Sequence, residues 1–312
     1  MSKEFMEAYK NNYEEEETNM RLISELFPMI QKKQNDILRM FFKKYPSKML
    51  LVSNSRHTTL YTALKAKNYE MMEYLMHRVP HDARLSTGDT FLDFRNAEGC
   101  SVLMEAVKDG DIKAVRMILR HNPNLEIAEY DNKEKAIHLA AETGNIAIFK
   151  ILMNEKKKRG EAFDIDEKSQ KCGYTSLHIA SDNGDLEMVK FLIHAGADVN
   201  KRTMYGRTPA ILAVANEKMD VYNYLASLPQ VDLTAKENTG KTVEYFLNPR
   251  NRLEERKDDF DKFMDTLSGN FTEEESEKLI KEFFENDDEY ECPVVVKTHQ
   301  NSIIPDTSKQ RD

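Results

Sequence analysis

Thr175-Ser176-Leu177-His178-Ile179-Ala180 is followed by Gly184, then by Met188-Val189-Lys190-Phe191-Leu192, then by Gly196-Ala197-Asp198-Val199-Asn200. A hydroxyl residue at the head of such a stretch caps a short helix, and a Pro beside it suits the first helical turn. The small Ala lets that helix lie close to its neighbours. A Gly nine residues after the hydroxyl permits the left-handed turn that ends it. The second helix then carries apolar residues at helical spacing, as do Ile112, Val115, Ile118 and Leu119. The frame begins at residues 58, 101, 135, 175, 208 and 242, so its spacings are 43, 34, 40, 33 and 34. Glu217 stands where the copy beginning at Thr208 should have its Gly.

This pattern resembles the ankyrin repeat, whose period is about 33 and whose signature is T-P-L-H-x-A. The resemblance implies an all-α solenoid of stacked helix pairs joined by β-hairpin loops. No unit can bury its apolar face alone, so stability is shared between neighbours. Clear repeats are expected over 96–131, 132–169, 170–204 and 205–238, with degenerate units over 21–53, 54–95 and 239–267. Residues 1–20 read as a polar tail and 268–312 as an acidic, partly disordered one, with Pro293 and Pro305 near its end. His138 and His178 hold the fourth place of the signature, where the resemblance implies a structural histidine bonded to neighbouring backbone.

Composition narrows the function classes. The longest aliphatic run, Met49 to Val52, is far short of the roughly 20 residues of a membrane span. The start, Met1-Ser2-Lys3-Glu4-Phe5, lacks a signal-peptide core and the Gly that myristoylation needs. Three scattered cysteines (Cys100, Cys172, Cys292) fit a reducing compartment. A cytoplasmic protein is expected, with the nucleus also open. The net charge of −9 is uneven. From Glu254 to Glu291 there are 16 acidic and 5 basic residues, against a balance of +1 over residues 1–253. Such an arm repels nucleic acid and favours basic partners.

Chemical motifs are weak, and neither enzyme activity, a metal nor a cofactor is expected. His77 and His81 have a zinc-helix spacing, but Pro80 lies between them and no third ligand is near. Thr239-Gly240-Lys241-Thr242 lacks the upstream Gly of a phosphate loop. Cys172, at a hairpin tip, has no His beside it to act as base. Lys156-Lys157-Lys158-Arg159 reads equally well as a nuclear-import signal or as a solvated helix end.

The ankyrin resemblance implies a partner surface made of hairpin tips and the ends of the first helices. The tips are Ala97, Glu98 and Cys100; Asp131, Asn132 and Glu134; Lys171, Cys172 and Tyr174; Met204, Tyr205 and Arg207. The helix ends are Lys108 and Asp109, Glu142 and Thr143, Asp182 and Asn183, Ala215 and Asn216. Met204 and Tyr205, beside Lys201, Arg202 and Arg207, suit an interface centre. The layout also resembles the inhibitors of NF-κB (Rel-type) transcription factors, which carry six repeats, lengthened first and third repeats, a Leu-x-Phe-x-Asn element and an acidic tail. Here Leu92-Asp93-Phe94-Arg95-Asn96 precedes the repeat that begins at Ser101, the Thr58 and Lys135 repeats are long, and the acidic arm follows the array. That resemblance, over residues 54–291, implies a Rel-type partner held away from DNA. A D-S-G-x-x-S degradation signal is absent from residues 1–53, which puts signal-driven destruction in doubt. The alternatives are a general adaptor or targeting subunit, or the sensing arm of a larger assembly. Leu192 to Asn200 resembles the segment that asparaginyl hydroxylases read, making Asn200 a candidate modification site.

Overall fold

A computed structural model describes residues 24–45, 58–79, 90–131, 133–248 and 251. Residues 24–31 are helical (α1), followed by α2 (Asn35–Lys44), α3 (Thr59–Lys65), α4 (Tyr69–Arg78), α5 (Val102–Lys108) and α6 (Ile112–Leu119). Then come α7 (Ala136–Glu142), α8 (Ile146–Lys158), α9 (Ser176–Asn183), α10 (Leu186–His194), α11 (Pro209–Ala215), α12 (Met219–Ala226) and α13 (Val243–Leu247). Consecutive helices pair, and each pair packs on the next in chain order. No described residue lies in an extended strand, and Ala128 and Lys135 form an isolated antiparallel bridge at a hairpin base.

The repeat frame accounts for each boundary. Thr58, Ser101, Thr175 and Thr208 accept the N–H of Tyr61, Met104, His178 and Ile211 into their side-chain oxygens, and Pro209 opens α11. Lys135 has no acceptor to offer, so the fourth unit keeps only the reverse bond, from the Lys135 N–H to His138 Nδ1 at 3.2 Å. The second helices have caps of their own: Asn68, Asp111, Asn145 and Asp185 accept from the third residue on. Between the paired helices the chain turns through left-handed conformation, at Gly184 with φ 78°. Glu217 is forced into the same region at φ 59°, which is costly for a residue with a Cβ. After α13, Asn248 is extended at ψ 113°. The next residue is Pro249, which bars helix at the position before it.

The core runs the length of the stack. Ala63, Ala106, Ala140, Ala180 and Ala213, the small residue of the frame, are fully buried. Beside them lie Leu60, Leu103, Leu139, Leu177 and Ile211, then the inward sides of the second helices, such as Val115, Phe149, Val189 and Val221. Phe149 meets Phe191 of the next unit edge-on at 5.6 Å. By chain contacts the molecule divides into Met1–Asn248 and Pro249–Asp312. The acidic segment 254–291, the end of the degenerate unit expected over 239–267 and both outer tails lie outside the described residues, as do His81 and Asn132.

Candidate protein-interaction surface

The hairpins are joined edge to edge. Tyr130 N–H donates to the Glu98 carbonyl at 2.8 Å, Met204 N–H to Cys172 at 3.0 Å, and Asn238 N–H to Tyr205 at 2.9 Å. Adjacent tips are therefore held in a row, and side chains that face outward from it present a single surface. Gly99 makes one close approach possible: at φ +83° a Cβ there would lie 2.7 Å from the Tyr130 backbone nitrogen.

Met204 and Tyr205 stand out on this row, 64% and 41% exposed. Ala97, Glu98, Asp131 and Lys171 are exposed as well. Four expected tip residues are not available. Cys172 and Tyr174 are buried, as are Cys100 and Glu134. Cys100, Glu134 and Tyr174, each just before an N-cap, are drawn inward against the stack, and the Tyr174 ring lies 5.9 Å from that of His178. Arg207 is half-buried and donates from Nε to the buried carboxylate of Glu237 at 2.6 Å.

The helix ends are bound to one another rather than free. Asp109 takes Lys65 at 2.9 Å, and Glu98 takes Lys108 at 3.0 Å. Asn183 donates to the Glu142 carbonyl at 3.1 Å, and Asn216 donates to Asp182. Thr143 is exposed, with its hydroxyl 3.4 Å from the Ala140 carbonyl. The Lys65–Asp109, Asn183–Glu142 and Asn216–Asp182 contacts form a ladder between units, so a partner would meet them already paired. Such exposed pairs contribute little energy individually.

Tyr130 was not singled out by the frame, yet it is 46% exposed at the tip, with Arg95 and Lys133 over its ring at 5.6 and 5.4 Å. Its N–H makes the cross-unit bond that Met204 makes. It stands five residues before its N-cap, whereas Met204 stands four before Thr208. That extra residue hides it from a comparison by frame position.

His138 and His178 are fully buried. His178 Nδ1 accepts the Thr175 N–H at 3.2 Å, while Nε2 lies 3.0 Å from the Lys201 carbonyl and 3.2 Å from that of Arg207. Those partners fix a neutral ring with its proton on Nε2. Burial lowers its pKa to about 4 and lowers that of His138 too. His178 ties its unit to the next through Arg207, and His138 ties its helix to the loop at Glu167.

Lys156 and Arg159, half of the basic run, are also structural. Lys156 is buried and pairs with Glu126 at 2.7 Å and Glu167 at 3.2 Å, the same carboxylates that take Lys135. Arg159 donates to Glu155 at 3.1 Å and to the Pro123 carbonyl at 2.8 Å. In the folded array only Lys157 and Lys158 are exposed for recognition. Glu98, Cys100 and Glu105 converge in a way that could hold a metal. Two ammonium groups already serve those carboxylates, Lys108 on Glu98 at 3.0 Å and Lys65 on Glu105 at 2.9 Å. Burial pushes the Cys100 thiol up to about 12, which suits neither a metal ligand nor a nucleophile. Asn200 is engaged at a loop: its amide donates to the Gln230 carbonyl at 2.7 Å and accepts the Asp232 N–H at 2.8 Å.

Comparison with known proteins agrees with this architecture. A family model for ankyrin repeats matches in three overlapping copies, over residues 84–164, 103–203 and 159–237. The human transient receptor potential cation channel subfamily A member 1 is 25% identical over 261 residues, covering 72% of this chain and 22% of the channel. The chicken nuclear factor NF-kappa-B p105 subunit is 28% identical over 159 residues, covering 50% of this chain and 14% of that protein. The chain thus spans less than a quarter of either relative. Among solved structures, the ankyrin repeat domain of Bcl-3, a member of the IkappaB family, superposes with a TM-score of 0.58 at 21% identity. The superposition covers 72% of this chain and 94% of that domain, and at this identity it speaks for the fold alone. With capped helix pairs, small residues at each crossing and hairpins tied in a row, the chain is an ankyrin-repeat protein.

Proposed function

We propose that this chain sequesters a Rel-type transcription factor, holding it by the hairpin row and blocking its binding to DNA. The observation that carries the reading is the exposure of Tyr130, Met204 and Tyr205 on that row, while most large apolar side chains of the described array are buried. Aromatic and Met side chains flanked by cations are what interface centres favour. The NF-kappa-B p105 relative supports this choice of partner. In this reading the array ends in an acidic arm, residues 254–291, that competes with DNA for the partner's basic surface. The complex is placed in the cytoplasm, with the nucleus also open to it.

The test is displacement of labelled DNA from a purified Rel homodimer, at low and high salt. The full chain should displace DNA, and a Met204→Ala/Tyr205→Ala variant should do so at least about tenfold less well, as loss of two interface anchors implies. A chain truncated after Arg252 should bind the dimer but displace DNA poorly, and the difference should shrink as salt rises. If neither full-length nor truncated protein displaces DNA, the chain is an adaptor with an unrelated partner. Equal displacement by both would remove the role given to the arm.

A further inference from the structure

The outer helices carry a pattern that the hairpin surface does not use. Asp111, Asn145, Asp185 and Lys218 hold equivalent N-cap positions, so Ile112, Ile146, Leu186 and Met219 form one row across four units. Ile112 and Met219 are 38% and 40% exposed, and the two between them are partly buried. Four residues later, on the same face of each helix, a second row reads Arg116, Lys150, Lys190. Residues 112–120 and 146–158 together hold seven basic residues and one acidic residue, and of these Lys156 is buried in its ion pairs and Lys158 lies 3.8 Å from Glu155.

These cations are largely uncommitted. Arg116 and Arg120 are exposed and have no carboxylate partner among the described residues. Lys113, Lys150 and Lys157 lie over the rings of Tyr69, Phe191 and Phe163 at 4.2, 5.0 and 5.7 Å, and are exposed. Lys190 is partly answered by Glu187 at 2.8 Å, so the positive character centres on the third and fourth units.

We propose that this outer face binds an extended segment of a partner protein in which acidic and apolar residues are mixed. Neighbouring helices pack roughly 8–10 Å apart, and an extended chain advances about 3.3 Å per residue. About three residues therefore cross each unit. The two rows lie about 6 Å apart along each helix, within reach of the two sides of one extended strand. Its carboxylates meet Arg116 and Lys150, and its apolar side chains meet the Ile112 row. A nucleic acid fits less well. Duplex DNA carries one charge per about 1.7 Å of axis, far denser than one cation per unit.

The experiment uses the full chain and a labelled peptide of about 12 residues, long enough to cross four units when extended, with Glu and Leu in alternation. Binding is followed by fluorescence anisotropy at two salt concentrations. The expected result is saturable binding that weakens with salt and falls at least about tenfold in an Arg116→Glu/Lys150→Glu variant. Met204→Ala/Tyr205→Ala should bind the peptide as the parent does, which separates this face from the hairpin row. Circular dichroism and thermal unfolding confirm that the variants are folded, and an Arg116→Gln/Lys150→Gln pair replaces any charge reversal that is not. Undiminished binding by the folded variants overturns the proposal. So does equal binding of an all-Glu peptide, which would leave the apolar row without a role, or tighter binding of a single-stranded oligonucleotide of matched charge.

Discussion

Acidification should loosen the array through its buried histidines before its carboxylates titrate. His178 is neutral in the fold, with its pKa lowered by burial to about 4 from an ordinary 6.5. A base whose folded pKa is depressed binds fewer protons folded than unfolded, so its stabilisation is complete above the unfolded value. It is lost as pH falls from 6.5 toward 4. With those two values, linkage gives a loss of about 2 kcal/mol at about pH 5 and about 3 kcal/mol below pH 4. His138 is shifted in the same direction and adds to the effect. Glu126 and Glu167 act in another window. Their pKa values are lowered from 4.5 against the desolvation that opposes it, through Lys135 and Lys156, so their contribution fades only below that value.

The assay is urea unfolding by circular dichroism at about pH 7.5 and about pH 5, at constant ionic strength, for the parent and for His178→Gln. The variant should be less stable at the higher pH, because the Thr175 N–H and the Lys201 and Arg207 carbonyls lose a buried partner. Its loss on acidification should be smaller than the parent's by about 2 kcal/mol, the amount assigned to this ring. Hydrogen exchange should place the opening in the fifth and sixth units, since contacts in a stack are between neighbours. A parent that loses under about 0.5 kcal/mol across this range, or a variant that keeps the full pH dependence, would refute the reasoning.

Four further outcomes are expected. Gly99→Ala should destabilise by about 2 kcal/mol or more in chemical denaturation, because φ +83° is strained for any side chain and the Cβ meets Tyr130 backbone at 2.7 Å. Ser181→Ala should raise stability by about 0.5–1 kcal/mol in the same assay, since the buried hydroxyl has no hydrogen-bond partner among the described residues and Ala is the better helix former. Lys156→Ala should cost about 2–3 kcal/mol by exposing the Glu126 and Glu167 charges to one another, whereas Lys157→Ala should lie within about 0.5 kcal/mol of the parent. If Asn200 is hydroxylated in cells, peptide mass analysis will find one added oxygen on the fragment that contains it; an unmodified fragment at normal oxygen levels counts against the site.

The division between what could and could not be read from the sequence has a physical basis. Thr175, His178 and Ala180 announce themselves because each does a local job that only its residue type performs: capping, bridging two carbonyls, and permitting close helix contact. Caps and left-handed turns are equally local, which is why Glu217 could be marked as irregular before its φ of 59° was known. Direction is different. Whether a hairpin residue faces partner or core depends on how many residues the loop spends before its N-cap. Tyr130, Met204 and Tyr205 face outward from the tips, while the place next to the cap turns Cys100, Glu134 and Tyr174 toward the stack. Ion clusters are less legible still. Glu126, Lys135, Lys156 and Glu167 are spread over two successive units and meet only when those units stack. A run of four basic residues therefore looks like a linear signal until the stack withdraws Lys156. In a solenoid, residue type decides what a unit can do, and stacking decides which residues remain to do it.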